Sequence, residues 1–136
     1  MNPFRIIFRK RRVMRRIRRV RRKSASGRRD FMENKERARM LVHERVEYWR
    51  NIYNIPIRKI AIRNQITRWG SCSKNGNLNF NYRIIHLPAN LADYLIVHEL
   101  CHLIEFNHSK AFWGHVGRTI SDYRKLRAEL KKIKFK

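Results

Sequence analysis

The chain has 136 residues, 34 of them Lys or Arg against 10 Asp or Glu, for a formal charge of +24 at pH 7. That length suits one small domain whose core needs no covalent staples, and 43% apolar residues exclude wholesale disorder. No apolar run approaches the roughly 20 residues of a membrane-spanning helix, and no signal-peptide stretch follows the basic N-terminus. Two cysteines, Cys72 and Cys101, are too few for a disulfide scaffold. These features predict a small basic protein of the reducing cytoplasm.

The charge is concentrated at one end. Residues 1–29 hold fourteen Lys/Arg and no acid, whereas residues 30–136 hold twenty basic and ten acidic residues. The expected division is therefore a basic Arg-rich arm over 1–29 and a globular body over 30–136, joined flexibly at Ser24, Ala25, Ser26 and Gly27. Within the arm, Val13, Met14, Ile17 and Val20 recur at three- and four-residue spacing and would share one stripe of a helix. Such a segment suits three roles: a solvated tail, a helix docked on the body, or an arm for nucleic acid, an anionic membrane surface or another polyanion, since clustered arginines displace counterions from phosphate. Apart from Phe4 and Phe8 it has no aromatics for base stacking.

In the body, Asp30 to Tyr53 reads as a helix, with Ala38, Leu41, Val42, Val46, Trp49 and Ile52 at helical spacing and a stop at Asn54-Ile55-Pro56. Strand patterns follow over Ile57–Arg63 and Ile66–Trp69. Asn75-Gly76 is a hairpin signal, and the alternation of Leu78, Phe80, Tyr82 and Ile84 predicts an antiparallel strand over 77–86. Pro88 opens a helix over Asn90–Glu105; Asn107 or Ser109 can cap a next one holding Phe112, Trp113 and Val116, and Ser121 a last one. Helix, small antiparallel sheet, then helices is an α+β order.

Chemistry concentrates in His98-Glu99-Leu100-Cys101-His102. Inside a helix, residues four apart share a face, so two imidazoles of a HExxH sequence can meet one Zn²⁺, while Glu99 can reach a water on the metal. Val97 and Leu100 are apolar, and a polar trio in such a helix is costly without a partner. The third ligand favoured by the spacing is His108, beyond a turn at Phe106-Asn107, with Glu105, Asp122 and His115 as competitors. Three histidines and a glutamate within eleven residues weigh against ordinary buried histidines, whereas His43 and His86 lack such company and read as surface or structural. Gly70 beside Trp69 marks a bend or close backbone approach. Trp69, Gly70 and Ser71 are accordingly candidate substrate residues on an edge strand, with a packed Trp and a bulged Gly as the alternative. Cys72 lacks a paired cysteine motif and Cys101 faces away from the metal side of the helix, so both read as packing residues.

Four blocks, Thr67-Arg68-Trp69-Gly70-Ser71-Cys72-Ser73, Leu78-Asn79-Phe80-Asn81, His98–Leu103, and Asn107-His108-Ser109 with Phe112-Trp113, resemble the YgjP-like metallopeptidase family, itself related in motif to SprT-like and WLM zinc proteases. The blocks span about residues 34–126 in order, leaving the basic arm outside. The resemblance implies a zincin-like core with an active-site helix, Zn²⁺ held by His98, His102 and His108, and Glu99 as general base. The expected function is peptide-bond hydrolysis by a Glu-activated, metal-bound water, on a peptide or protein substrate. Tyr82, His115 and Tyr123 are candidates for a second electrophile. Two alternatives stand beside it: metal-dependent hydrolysis of nucleotide phosphoanhydrides, a description attached to YgjP-like proteins, and nucleic-acid binding around a structural zinc.

Overall fold

The structure is a computed structural model that describes residues 3–135, with side chains from Ser24 onward. The stripe expected at Val13, Met14, Ile17 and Val20 lies outside the described side chains. By packing, the chain divides into two compact units, Met1–Glu33 and Asn34–Lys136.

Helix α1 spans Pro3–Tyr53. It runs through Ser24–Gly27, where a flexible joint was expected. Those four residues contain no proline, and a single helical Gly costs only about 1 kcal/mol relative to Ala, too little to stop a helix whose neighbours favour it. Its end falls where predicted: Asn54 adopts a left-handed conformation, φ 52°, which closes the last turn.

In the second unit, Ala38, Val42, Val46 and Tyr53 form the buried stripe of α1. Leu41 and Trp49 are half-buried at its margin, and Ile52 is exposed. Beside the stripe, Arg45 donates from Nε and Nη2 to the two carboxylate oxygens of Asp93, at 2.7 and 2.9 Å, and the Trp49 indole N–H adds a third bond at 3.2 Å. A bidentate, charge-assisted pair fixes orientation as well as distance. It ties α1 to α2, Ala89–His102. The Tyr53 hydroxyl donates to the His115 carbonyl at 2.6 Å and lies 2.6 Å from the Thr119 hydroxyl. That contact fastens α1 to α3, Lys110–Thr119.

The sheet has three strands, β1 Lys59–Arg63, β2 Gly70–Cys72 and β3 Asn77–Asn81, in the order β1-β3-β2. β2 and β3 form the antiparallel hairpin that Asn75-Gly76 signals: Gly76 has φ +85°, and Ser73 N–H bonds Asn77 O at 2.9 Å. β1 pairs with β3 in parallel, so the sheet is mixed and not purely antiparallel. Turn signals report only the neighbour next in sequence, and β1 takes the far side of β3. Two strand boundaries also move. Residues 66–69 form bends and irregular chain before β2, and β3 stops at Asn81, followed by a 3-10 turn over Tyr82–His86. Asn81 causes both changes: its Oδ1 accepts from Arg83 N–H at 3.1 Å and starts the turn, while its Nδ2 donates to the carbonyls of Gln65 and Arg68 at 2.6 and 3.1 Å. The side chain is 1% exposed and anchors the 64–69 loop. Leu78, Phe80, Tyr82 and Ile84 remain buried across the change of conformation.

α2 packs against the sheet and buries ten of its fourteen residues, so it is the central element of the core. The last helix, α4, covers Tyr123–Lys132 and buries Leu126 alone. Asp122, not Ser121, occupies its N-cap position and makes no side-chain capping bond. The architecture is α+β, as the element order predicts. Among the described residues, no helix is long and apolar enough to cross a membrane.

Candidate metal centre

The site is assembled around the C-terminal end of α2. His98 and His102 lie one helical turn apart, and the helix stops directly after them: the N–H groups of Leu103, Ile104 and Glu105 bond back to Leu100 and Cys101 carbonyls at 2.9–3.0 Å. The chain then reverses. Ser109 caps α3, its Oγ accepting from Phe112 N–H at 3.3 Å, and Asn107 Oδ1 accepts from Ser109 N–H at 3.3 Å. His108 is held between these two capping residues.

The outcome is a triangle of imidazole nitrogens. His102 Nε2 lies 3.1 Å from both His98 Nε2 and His108 Nε2, and His98 and His108 are 3.3 Å apart. Four-coordinate zinc with Zn–N bonds of about 2.0–2.1 Å requires nitrogen pairs about 3.3 Å apart. The donor set therefore fits the metal. The outer ring nitrogens are occupied as well: His102 Nδ1 sits 3.1 Å from the Glu105 carbonyl and His98 Nδ1 3.4 Å from the Tyr94 hydroxyl. A carbonyl accepts only, so the His102 proton resides on Nδ1 and its Nε2 lone pair points inward. Phe112 stacks on His102 at 4.3 Å and Trp113 on His108 at 5.8 Å, which limits ring rotation. Among the described residues, no other group of three or more His, Cys, Asp or Glu could hold a metal.

Of the competing ligands, Glu105 contributes its backbone carbonyl, Asp122 stands at the start of α4, and His115 lies in α3 with its carbonyl on Tyr53. None of the three belongs to the cluster.

Burial and mutual repulsion act on the titrating groups. Desolvation, then the His102 and His108 rings, then Arg127 push His98 down to about 3. His102 is also lowered, chiefly by burial. Burial raises Glu99 to about 7, opposed by Arg68. Neutral imidazoles are the form that binds metal.

Glu99 is 6% exposed and lies against β2. A Cβ on Gly70 would come within 3.0 Å of Glu99 Cγ and Oε1 and 3.1 Å of the Asn79 carbonyl. Gly70 is thus the close backbone approach that its place beside Trp69 suggests. Ser71 pairs with Asn79 across the hairpin, and its Oγ accepts from Asn79 Nδ2 at 3.3 Å. Among the described residues, the outer edge of β2 has no strand partner. Cys72, half-buried, has its thiol pushed up to about 11 by burial and then by Glu99; Cys101 is fully buried.

Beside the histidines lies a cavity of ≈ 390 Å³, walled by Trp69, Tyr94 and Phe135, with His98 and His108 opening into it. Trp69 meets Phe135 ring to ring at 4.6 Å. Neither Tyr82, which is 1% exposed in the core, nor His115 nor Tyr123 lines this space. Tyr94 does, and sequence reasoning passed over it although it stands four residues before His98 on the same helix face. Arg127 also lines the cavity, from a helix with no local signal of a site.

The fold is that of compact metallopeptidases. The crystal structure of the metallopeptidase zymogen of Pyrococcus abyssi abylysin superposes with a TM-score of 0.60 at 20% identity, covering 65% of this chain and 90% of that one. The metallopeptidase zymogen of Methanocaldococcus jannaschii jannalysin gives 0.57 at 24% identity, covering 68% and 97%. Among curated proteins none matches. The profile described as YgjP-like, metallopeptidase domain, matches residues 7–133, and the chain belongs to that family. The match extends well beyond the motif blocks, into the basic N-terminal segment. With its histidine triangle, the chain is a zinc metallopeptidase acting on peptide substrates; neither the nucleotide-hydrolase nor the structural-zinc alternative is favoured.

Proposed function

We propose that His98, His102 and His108 hold the zinc and that Glu99 is the general base of peptide-bond hydrolysis. The observation that carries this reading is the convergence of three Nε2 atoms within 3.3 Å with no fourth protein donor in the group among the described residues. Three protein ligands and one free position are the mark of a catalytic site rather than a structural one.

Bound there, zinc supplies a Lewis acid that polarises the scissile carbonyl and acidifies water. Glu99 takes the proton of the attacking water and returns it to the leaving amine. Its buried setting, which raises its proton affinity, suits a group that must accept a proton near neutral pH. The Glu105 carbonyl and Tyr94 hydroxyl keep the two helix imidazoles oriented. The unpaired edge of β2, with Trp69, Gly70 and Ser71, receives the substrate as an added strand and brings its backbone past Glu99.

The two free cysteines suit a reducing cytoplasm. The Arg-rich 1–29 arm suits a polyanion such as nucleic acid; salt-sensitive DNA binding that is lost on deleting the arm is the expected result.

The central test measures metal content and hydrolysis together. Wild type is expected to carry about one zinc per chain and to cleave casein rather than nucleoside triphosphates. His98→Ala should lose the metal and all activity. Glu99→Gln should keep the metal and lose about 10²–10⁴-fold in kcat. Unimpaired turnover by Glu99→Gln, or a wild type with no stoichiometric metal, overturns the assignment.

A further inference from the structure

Arg127 and Lys131 lie one turn apart on α4, and both line the cavity that His98 and His108 open into. Among the described residues, the ion pair within α4 is Lys125–Glu129, and no salt bridge involves Arg127 or Lys131. Among the described residues no carboxylate lines the cavity; its other walls are aromatic or aliphatic apart from the two histidines. Arg127 is nevertheless placed with care. Its guanidinium lies 4.8 Å from the centre of the Trp113 ring, the same ring that stacks on His108. An arginine held over an aromatic ring can still offer its N–H fork to a planar, bidentate acceptor.

We propose that Arg127, supported by Lys131, binds a carboxylate of the peptide substrate and so sets the specificity of the enzyme. The inference rests on the peptidase reading and deepens it by naming the substrate class: peptides carrying a carboxylate close to the scissile bond. That carboxylate comes from an Asp or Glu side chain or from the C-terminus of the substrate. The chemistry recognised is the same. The aromatic walls contributed by Trp69 and Phe135 receive the apolar part of the same residue or of its neighbour.

The test uses one scissile bond, found in a casein digest, in a peptide series that varies Glu against Gln beside the bond and free acid against amide at the C-terminus. In the zinc-loaded wild type, the carboxylate-bearing member should have a KM about ten- to hundredfold below its neutral counterpart. Whether Glu/Gln or acid/amide shows this difference identifies the source of the carboxylate. Arg127→Gln should abolish the difference mainly by raising KM, Arg127→Lys should retain part of it, and Arg127→Glu should favour peptides with Lys at that position. Calorimetric binding of the uncleaved acidic peptide to zinc-loaded Glu99→Gln should weaken by the same factor when Arg127→Gln is added. A preference for carboxylate that survives Arg127→Gln means that zinc itself holds the group and overturns the proposal. So does a variant whose kcat falls equally for acidic and neutral peptides. Failure of the peptidase reading looks different: zinc-loaded protein that cleaves no peptide of any charge.

Discussion

α2 and α4 border the same cavity and are built on opposite plans. α2 is held on nearly every side, by the sheet, by α1 through Arg45–Asp93 and by α3 through stacked aromatics. α4 buries Leu126 alone, stacks Tyr123 on Trp113, and carries Arg127 and Lys131 at the cavity wall. Metal donors must converge within tenths of an ångström, and a helix fixed on all sides supplies that. A group that meets variable substrates tolerates a looser mount, and the periphery supplies it.

The contrast can be broken by mutation. Leu100→Ala in α2, at a fully buried position, should cost about 2–5 kcal/mol in chemical denaturation. Leu130→Ala in α4, a half-buried cavity wall, should cost about 1 kcal/mol or less. Equal losses would show that the two helices are equally embedded.

pH sharpens it next, because α2 carries the buried titrating groups. In chelator-treated protein, His98 is lowered from its ordinary 6.5 to about 3. Its stabilising contribution is therefore complete above pH 6.5 and is lost as the pH falls toward 3. Glu99 is raised from 4.5 to about 7, so its contribution is complete below pH 4.5 and is lost as the pH rises through 7. The two oppose each other between pH 4.5 and 6.5. Glu99→Gln removes one of them, and stability of the metal-free variant should climb more steeply across that window, by up to about 1.4 kcal/mol per pH unit. An unchanged slope in thermal melts would remove buried Glu99 from the account. At the rim the effect is local: Ser109→Ala deletes the α3 cap for about 1 kcal/mol and should weaken zinc affinity through His108 while leaving α2 intact.

What was legible in the sequence follows the range of each interaction. His98 and His102 are one turn apart on one helix, so their spacing alone puts them together. His108 needed a chain reversal, and Asn107 and Ser109 signalled it. Gly76 announced its hairpin, and Asn54 the end of α1. The parallel partnership of β1 with β3 had no local signal, because it joins residues separated by an intervening hairpin. Asn81 acted as anchor of the 64–69 loop through carbonyls thirteen and sixteen residues away, which no pattern of polarity reveals. Arg127 was invisible for the same reason, one cation among 34 until the fold places it beside the histidines.

The placement of the three tryptophans makes the protein its own optical instrument. Trp49 is tied by its indole N–H to Asp93, is not among the residues lining the cavity, and should give a constant background. Trp113 lies on His108, so its emission should respond to the metal. Trp69 packs on Phe135 in the cavity wall, so an occupant should change its surroundings. Single Trp→Phe replacements at 69 and 113 would separate the two signals, letting metal loading and substrate docking be followed independently, without a label, in one titration.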